Sequence, residues 1–144
     1  LSITLGFGHL QVEPGNFAGL PPGEIMQYML VFKEPTEEFA KRADPATQPA
    51  YFGAWTAYIA ALREAGVIVS GNGLLPPNTG TQVQVRDGKR LIHDGPYADT
   101  KEHLGGYFII EVPGLDQALE WAARSPNVGV GTTEVRPVMP PMPQ

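Results

Sequence analysis

The chain has 144 residues, enough for one domain with a single core and too short for two of ordinary size. Ten basic against fifteen acidic side chains leave a net charge of −5, and the only adjacent basic pairs are Lys41-Arg42 and Lys89-Arg90, so the concentrated positive surface that nucleic acid requires is missing. Cysteine is absent, which excludes disulfides, thiolate nucleophiles and cysteine-ligated metals and suits a reducing cytoplasm, while no apolar run approaches the roughly 20 residues of a membrane span.

In chain order, residues 1–25 read as a leader or extension outside the domain, ending in the Pro21-Pro22-Gly23 breaker. Within them Ile3, Leu5 and Phe7 alternate with small or polar residues, so Ser2 to Val12 is a candidate edge strand. Met26 opens the domain proper, and Gln27 to Lys33 (QYMLVFK) has the apolar, aromatic composition of a central strand bounded by Glu34-Pro35. Thr36 is placed to cap a short helical turn over Glu37 to Ala43, its two glutamates favoured by the helix dipole. Pro49 suits a first helical turn, and Ala50 to Ala65 is the longest predicted helix, stopped by Gly66. Along it Tyr51, Trp55, Tyr58 and Leu62 recur at helical spacing with Ile59 beside them, an aromatic stripe that serves either as core or as the roof of a pocket.

Val67 to Ser70 is a β-branched strand, and Thr81 to Arg86 alternates with Val83 and Val85 on one face. Asp87-Gly88 is the signal for a two-residue hairpin turn, with Lys89 to His93 returning. Gly106 to Val112 is the most strand-like segment, Leu115, Ala118, Leu119 and Ala122 mark a second helix ended at Ser125-Pro126, and Thr132 to Arg136 is the last strand. The tail 139–144 is proline-rich. This order predicts an α+β ferredoxin-like sandwich, an antiparallel sheet with two main helices on one face. The opposite face, expected to carry Tyr28, Leu30 or Val83, invites a second copy packed sheet to sheet, a homodimer.

The segment Ile92 to Gly106 concentrates chemistry: two histidines, three carboxylates, a lysine, a tyrosine and three glycines. In Asp94-Gly95-Pro96-Tyr97 the usual amide partner of a turn aspartate belongs to a proline, which has no N–H. Asp94 therefore needs another donor, such as the amide of Tyr97 or Ala98, a basic side chain or a ligand. Pro96 stiffens the turn and drives Gly95 toward an extended conformation. The turn is either a rigid corner with Asp94 as its internal acceptor or a platform that aims Tyr97 and Asp94 at a bound molecule. His93 and His103 have the chemistry for proton transfer, with Asp94 or Glu102 to orient them. They fit surface or supporting roles equally, and their spacing matches no metal motif. Lys101-Glu102 reads as a solvated pair. Gly105-Gly106 permits either a tight turn or a close approach to the backbone, and fits no phosphate-binding loop.

The run from Asp94 to Tyr107, D-G-P-Y-A-D-T-K-E-H-L-G-G-Y, resembles the D-G-P-F-x-E-T-K-E-x-L-G-G-[FY] signature of the YCII-related (DGPF) family. Supporting matches in the same order are QYMLVFK, ALREAGVIVSGNGLLPP, VQVRDGK, ALEWAARSP and TTEVRPV, so the resemblance spans about 26–138. It implies a bacterial dimeric α/β barrel of the ferredoxin-like type, of unknown function, in a family often encoded beside extracytoplasmic-function sigma factors. Some relatives resemble enzymes with a histidine in the first helix and an aspartate before a proline after the second. This chain has Tyr51 and Trp55 in that helix, no histidine, and Ser125-Pro126 at the second place, so that pair is not carried over. Tyr97 and His103 stand where the family more commonly has phenylalanine and glutamine.

The expected function is a homodimeric small-molecule-binding domain, linked to sigma-factor signalling and requiring no cofactor. Its small organic ligand is expected to be held by Tyr51, Trp55, Asp94, Gly95, Pro96, Tyr97, Lys101 and His103. The alternatives are a cofactor-independent proton-transfer or lyase-like enzyme using Asp94 and His93, and a structural or protein-interaction scaffold.

Overall fold

The computed structural model describes residues 26–97 and 99–140, together with the backbone of two short strands, β1 (Gln11–Glu13) and β2 (Asn16–Ala18), which pair antiparallel with each other. The edge strand expected over Ser2 to Val12 lies, up to residue 10, outside the described residues, as do Ala98 and the last four residues of the tail.

From Met26 on, the chain forms β3 (Met26–Pro35), the short helix α1 (Thr36–Ala40), α2 (Gln48–Glu64) and β4 (Ile68–Gly73). A 3-10 turn over Pro77–Thr79 leads to the hairpin β5 (Thr81–Arg86) and β6 (Lys89–Asp94), followed by β7 (Glu102–Val112), α3 (Leu115–Ala123) and β8 (Thr132–Pro137). The main sheet has the order β4-β7-β3-β8 with all neighbours antiparallel. Counting β3, β4, β7 and β8 as first to fourth, that order is two, three, one, four, the ferredoxin-like arrangement, with the β5–β6 hairpin inserted between the second and third strands.

Both long helices lie on one face, because Tyr58 and Leu62 of α2 and Ala118 and Ala122 of α3 share one core with Tyr28, Leu30, Phe32, Phe108 and Ile110. The parity of β3 differs from expectation. Met26, Tyr28, Leu30, Phe32 and Glu34 face the helices and are buried, whereas Gln27, Met29, Val31 and Lys33 face the other way. Tyr28 and Leu30, expected on the open face, are thus core. A run apolar at nearly every position carries no alternation from which to choose a side, and one step of register exchanges the faces. Val83 belongs to the separate hairpin, where it is 60% exposed.

Local signals decide most element ends. Gly66 takes φ 73°, and the amides of Gly66 and Val67 bond back to Arg63 and Leu62, a Schellman end for α2. Asp87 and Gly88 both have positive φ (51° and 75°), the turn that the twist of a tight hairpin demands. Three local readings change. Pro35, not Thr36, occupies the cap position of α1, which has no side-chain cap. Leu119 is 47% exposed, and Trp121 packs against the core beside Ala118 and Ala122 in its place. Strand β7 begins at Glu102, four residues earlier than expected, so His103 is a buried strand residue rather than part of a loop.

A buried polar clasp fastens the end of α3 to the sheet. Asn127, 1% exposed, donates to the carbonyls of Lys33 (3.2 Å) and Thr132 (3.1 Å) and accepts from the Thr133 hydroxyl (3.1 Å). Ser125 donates to the Ala122 carbonyl at 2.6 Å and lies 2.7 Å from the Thr133 hydroxyl. Ser125 is therefore a structural residue here.

Candidate functional site

Strand β3 carries its alternating apolar stripe one step further than hydrophobicity alone would favour, so that after Met26, Tyr28, Leu30 and Phe32 the next core-facing residue is Glu34. This carboxyl is 2% exposed, and burying such a group is unfavourable unless donors meet it. The Tyr51 hydroxyl, brought over by the first turn of α2, donates to Glu34 Oε1 at 2.7 Å. Arg42, in the connection between α1 and α2, places Nη2 3.8 Å from the same oxygen.

Arg42 is itself a junction. Its Nε donates to the Tyr51 hydroxyl at 3.2 Å, its Nη1 to the Leu74 carbonyl and its Nη2 to the Gly105 carbonyl at 3.4 Å. The guanidinium also lies over the Phe39 ring, 4.8 Å from its centroid, a cation–π geometry. One side chain thereby ties the α1–α2 connection to the segment after β4 and to β7.

Room for Glu34 depends on glycine. The β3–β7 register slips after Phe32, which faces Gly106 while Lys33 faces Leu104, leaving Gly105 as the extra residue of a bulge. A Cβ on Gly105 would sit 3.0 Å from Glu34 Oε1 and 3.2 Å from the Phe39 ring. Of the two readings of Gly105-Gly106, close approach is the one that holds, and what approaches Gly105 is the buried carboxyl and the Phe39 ring.

These groups sit in the wall of a cavity of about 520 Å³ between α2, the sheet and the segment following β4. Its lining is predominantly aromatic and aliphatic, with Phe32, Phe39, Phe52, Trp55, Ile59 and Phe108 among the contributors. Phe32 meets Trp55 and Phe108 edge-on at centroid distances of 4.9 and 5.0 Å, the arrangement that ring quadrupoles favour. Burial pushes the Glu34 carboxyl above the usual carboxylate range, against the Tyr51 hydrogen bond and the Arg42 charge, with Glu38 adding to the rise and Lys41 opposing it. Burial, then the bond to Glu34, raise the Tyr51 hydroxyl to about 12. A carboxyl, a phenol and a guanidinium thus form one polar spot in the wall of an otherwise largely apolar cavity.

Of the residues singled out from sequence, Tyr51 and Trp55 line this cavity. The others gather at the hairpin end. Asp94 is exposed and accepts from the cross-strand Thr81 hydroxyl at 3.2 Å, a donor the turn chemistry did not suggest. Gly95 is not extended but has φ 77°, and its amide bonds to the Gly80 carbonyl at 2.7 Å. His93 Nε2 lies 3.3 Å from the Pro96 carbonyl, and its ring stacks on Tyr97 at 4.4 Å. Lys101 makes no ion pair among the described residues, and Glu102 accepts from Thr132 at 3.4 Å. Gly95, Pro96 and His103 line a second, more open cleft of about 310 Å³. Among the described residues no three His, Asp or Glu side chains converge as metal ligands.

Glu34 and Arg42 were missed from sequence. For Glu34 the sequence signal was concealed, because QYMLVFK is apolar on both faces and does not say that the charge two residues beyond Phe32 falls on the buried one. Arg42 had no comparable signal, because nothing local announces that a loop arginine will reach across to β7.

The model of the YCII-related domain family matches residues 26–141, and the chain belongs to that family. It is also 35% identical over 77 residues to an uncharacterized protein of Rhizobium meliloti. That match covers 52% of this chain and 62% of the relative, so the chain spans about three-fifths of the relative's length.

Proposed function

We propose that this YCII-related protein is a small-molecule-binding domain whose ligand occupies the aromatic cavity over Phe32 and Trp55. One observation supports it above all: a cavity of about 520 Å³ with apolar walls and a single buried carboxyl at its polar spot. A concave apolar cleft of this size with a few polar groups converging in its wall is the usual form of a small-molecule site. The ligand-binding residues in this reading are Tyr51, Trp55, Glu34 and Arg42, with the 95–103 cleft as a neighbouring second surface. The domain acts as a homodimer through the open sheet face. There Met29, Val31 and Ile109 form an apolar centre rimmed by the Gln27–Glu111 hydrogen bond and the Lys33–Glu134 ion pair, the anatomy of an interface. Coupling to a sigma factor is the signalling role that suits such a binding unit.

The test uses Trp55 as reporter in a Trp121→Phe background, leaving one tryptophan, in the cavity wall. Compounds from an aromatic library that raise the melting temperature should also change Trp55 fluorescence, because a ligand selective for the native state stabilises it by mass action. Hits whose binding survives Gly105→Leu, which crowds Glu34 and Phe39, would place the ligand elsewhere and end this reading. For assembly, Val31→Lys should convert a dimer to a monomer by light scattering, whereas a wild-type monomer at all concentrations removes the dimer.

A second reading, a cofactor-independent proton-transfer enzyme, draws support from the raised Glu34 carboxyl, since perturbed acids in apolar pockets are apt for acid–base work. Its acid–base group is then Glu34 rather than Asp94 or His93, neither of which lines the cavity. Buffer-independent deuterium exchange into a bound ketone, lost in Glu34→Gln, is the expected result.

A further inference from the structure

We infer that the cavity selects neutral ligands that present a hydroxyl donor, a phenol or an aryl alcohol, to the free oxygen of Glu34. This rests on the binding reading above and adds the chemical class of the ligand. Glu34 Oε1 already accepts from Tyr51 at 2.7 Å, and Arg42 at 3.8 Å is beyond hydrogen-bond reach of it. The second oxygen, Oε2, has no hydrogen-bond donor among the described residues, although the side chain is 2% exposed. Among those residues every fully buried side-chain oxygen has a hydrogen-bond partner, so Oε2 keeps some exposed surface, beside the cavity that Glu34 lines. An ionised carboxylate accepts on both oxygens, and one accepting group in an apolar chamber is a specification for a donor.

Charge narrows the class. Arg42 stands beside Glu34, so the pair is close to neutral together, and its three nitrogens are engaged by Tyr51, Leu74 and Gly105. A cationic ligand would bring a second positive charge next to Arg42 in a medium of low polarity. An anionic one would face Glu34 with the guanidinium already turned to backbone carbonyls. A neutral hydroxyl avoids both penalties and makes the short, charge-assisted O–H···O⁻ bond that is the stronger kind. The walls of Phe32, Trp55 and Phe108 suit a ring.

The decisive comparison is 4-tert-butylphenol against 4-tert-butylanisole, which share size and ring but differ in the donor, titrated against Trp55 fluorescence in the Trp121→Phe background. The phenol should bind about tenfold or more tightly, as a hydrogen bond to a charged group supports. In Glu34→Gln, with the fold checked by circular dichroism, the ratio should fall toward one. A second measurement needs no variant at position 34: the preference should fade as the pH is lowered and Glu34 takes up a proton, in the field of Tyr51, Arg42, Glu38 and Lys41 from α2, α1 and the connection between them and of His103, its buried cross-strand partner on β7. Equal affinities at neutral pH, or a preference unchanged in both the variant and acid, overturn the donor specificity while leaving the pocket standing. Failure of both compounds to bind overturns the pocket as well.

Discussion

The two ends of this molecule handle carboxylates in opposite ways. At the hairpin end Asp94 sits in solvent and takes its hydrogen bond from Thr81 across the strand pair, and His93 and Tyr97 stack on each other at the surface. At the cavity end Glu34 is almost wholly buried in the cavity wall, and burial pushes the carboxyl toward its neutral form. The first arrangement satisfies its groups locally. The second holds a group away from its preferred state and so stores a capacity to interact. Density of polar residues along a sequence is a poor guide to chemistry. A single polar residue at an apolar position is a better one.

Mutation can break or sharpen this contrast. The largest difference should come from packing: Phe108→Ala in the cavity wall is expected to destabilise by about 3–5 kcal/mol, whereas Ile92→Ala on the exposed hairpin should stay within about 0.5 kcal/mol, both read from urea unfolding. Next are the donors. Tyr51→Phe strips Glu34 of its hydroxyl partner and should cost about 1–3 kcal/mol, while Thr81→Val, which strips Asp94, should change little because water replaces the lost donor. Because that tyrosine bond holds the Glu34 carboxyl down, its loss raises the carboxyl further. The penalty of Tyr51→Phe should therefore shrink in acid.

One substitution type should change sign between the ends. Gly95→Ala forces a side chain onto a backbone at φ 77° and should destabilise by about 1–2 kcal/mol. Gly53→Ala, in the exposed interior of α2 with nothing near its Cβ position, should stabilise by about 0.5–1 kcal/mol. The smallest effect is the most specific. A carboxyl whose folded-state value is raised favours folding when protonated, and that advantage, full below its unfolded-state value, is lost as pH rises through the folded one. Glu34→Gln should therefore melt higher than wild type near neutrality and lose its lead as pH falls. If wild type melts higher throughout, burial is not what dominates Glu34.

Much of the fold was legible. The order of strands and helices from Met26, the Asp87-Gly88 turn and the Gly66 stop each follow from a local rule with one outcome. The side of β3 that faces the core did not, because QYMLVFK is apolar enough on both faces to conceal its parity. With the parity went Glu34, which read as the polar end of a strand instead of the last position of its buried stripe. The site was half legible: Tyr51 and Trp55 announced themselves by helical spacing, but the partners that give Tyr51 a role lie on β3 and before α2. Gly105 was visible as a signature glycine, yet the reason for it is a contact with residues some seventy positions earlier.

The pairing of β3 with β7 also bears on how the protein is made. It joins Met26 to Val112, whereas the hairpin joins Arg86 to Lys89, and contacts so distant along the chain form slowly. Glu34, Arg42, Tyr51 and Trp55 leave the ribosome well before Gly105 and Phe108, so during synthesis the carboxyl waits without its far wall. The cavity lacks Gly105 and Phe108 in its wall until β7 has emerged and docked. The open side of the nascent chain and the finished wall are separated by the insertion of a single strand.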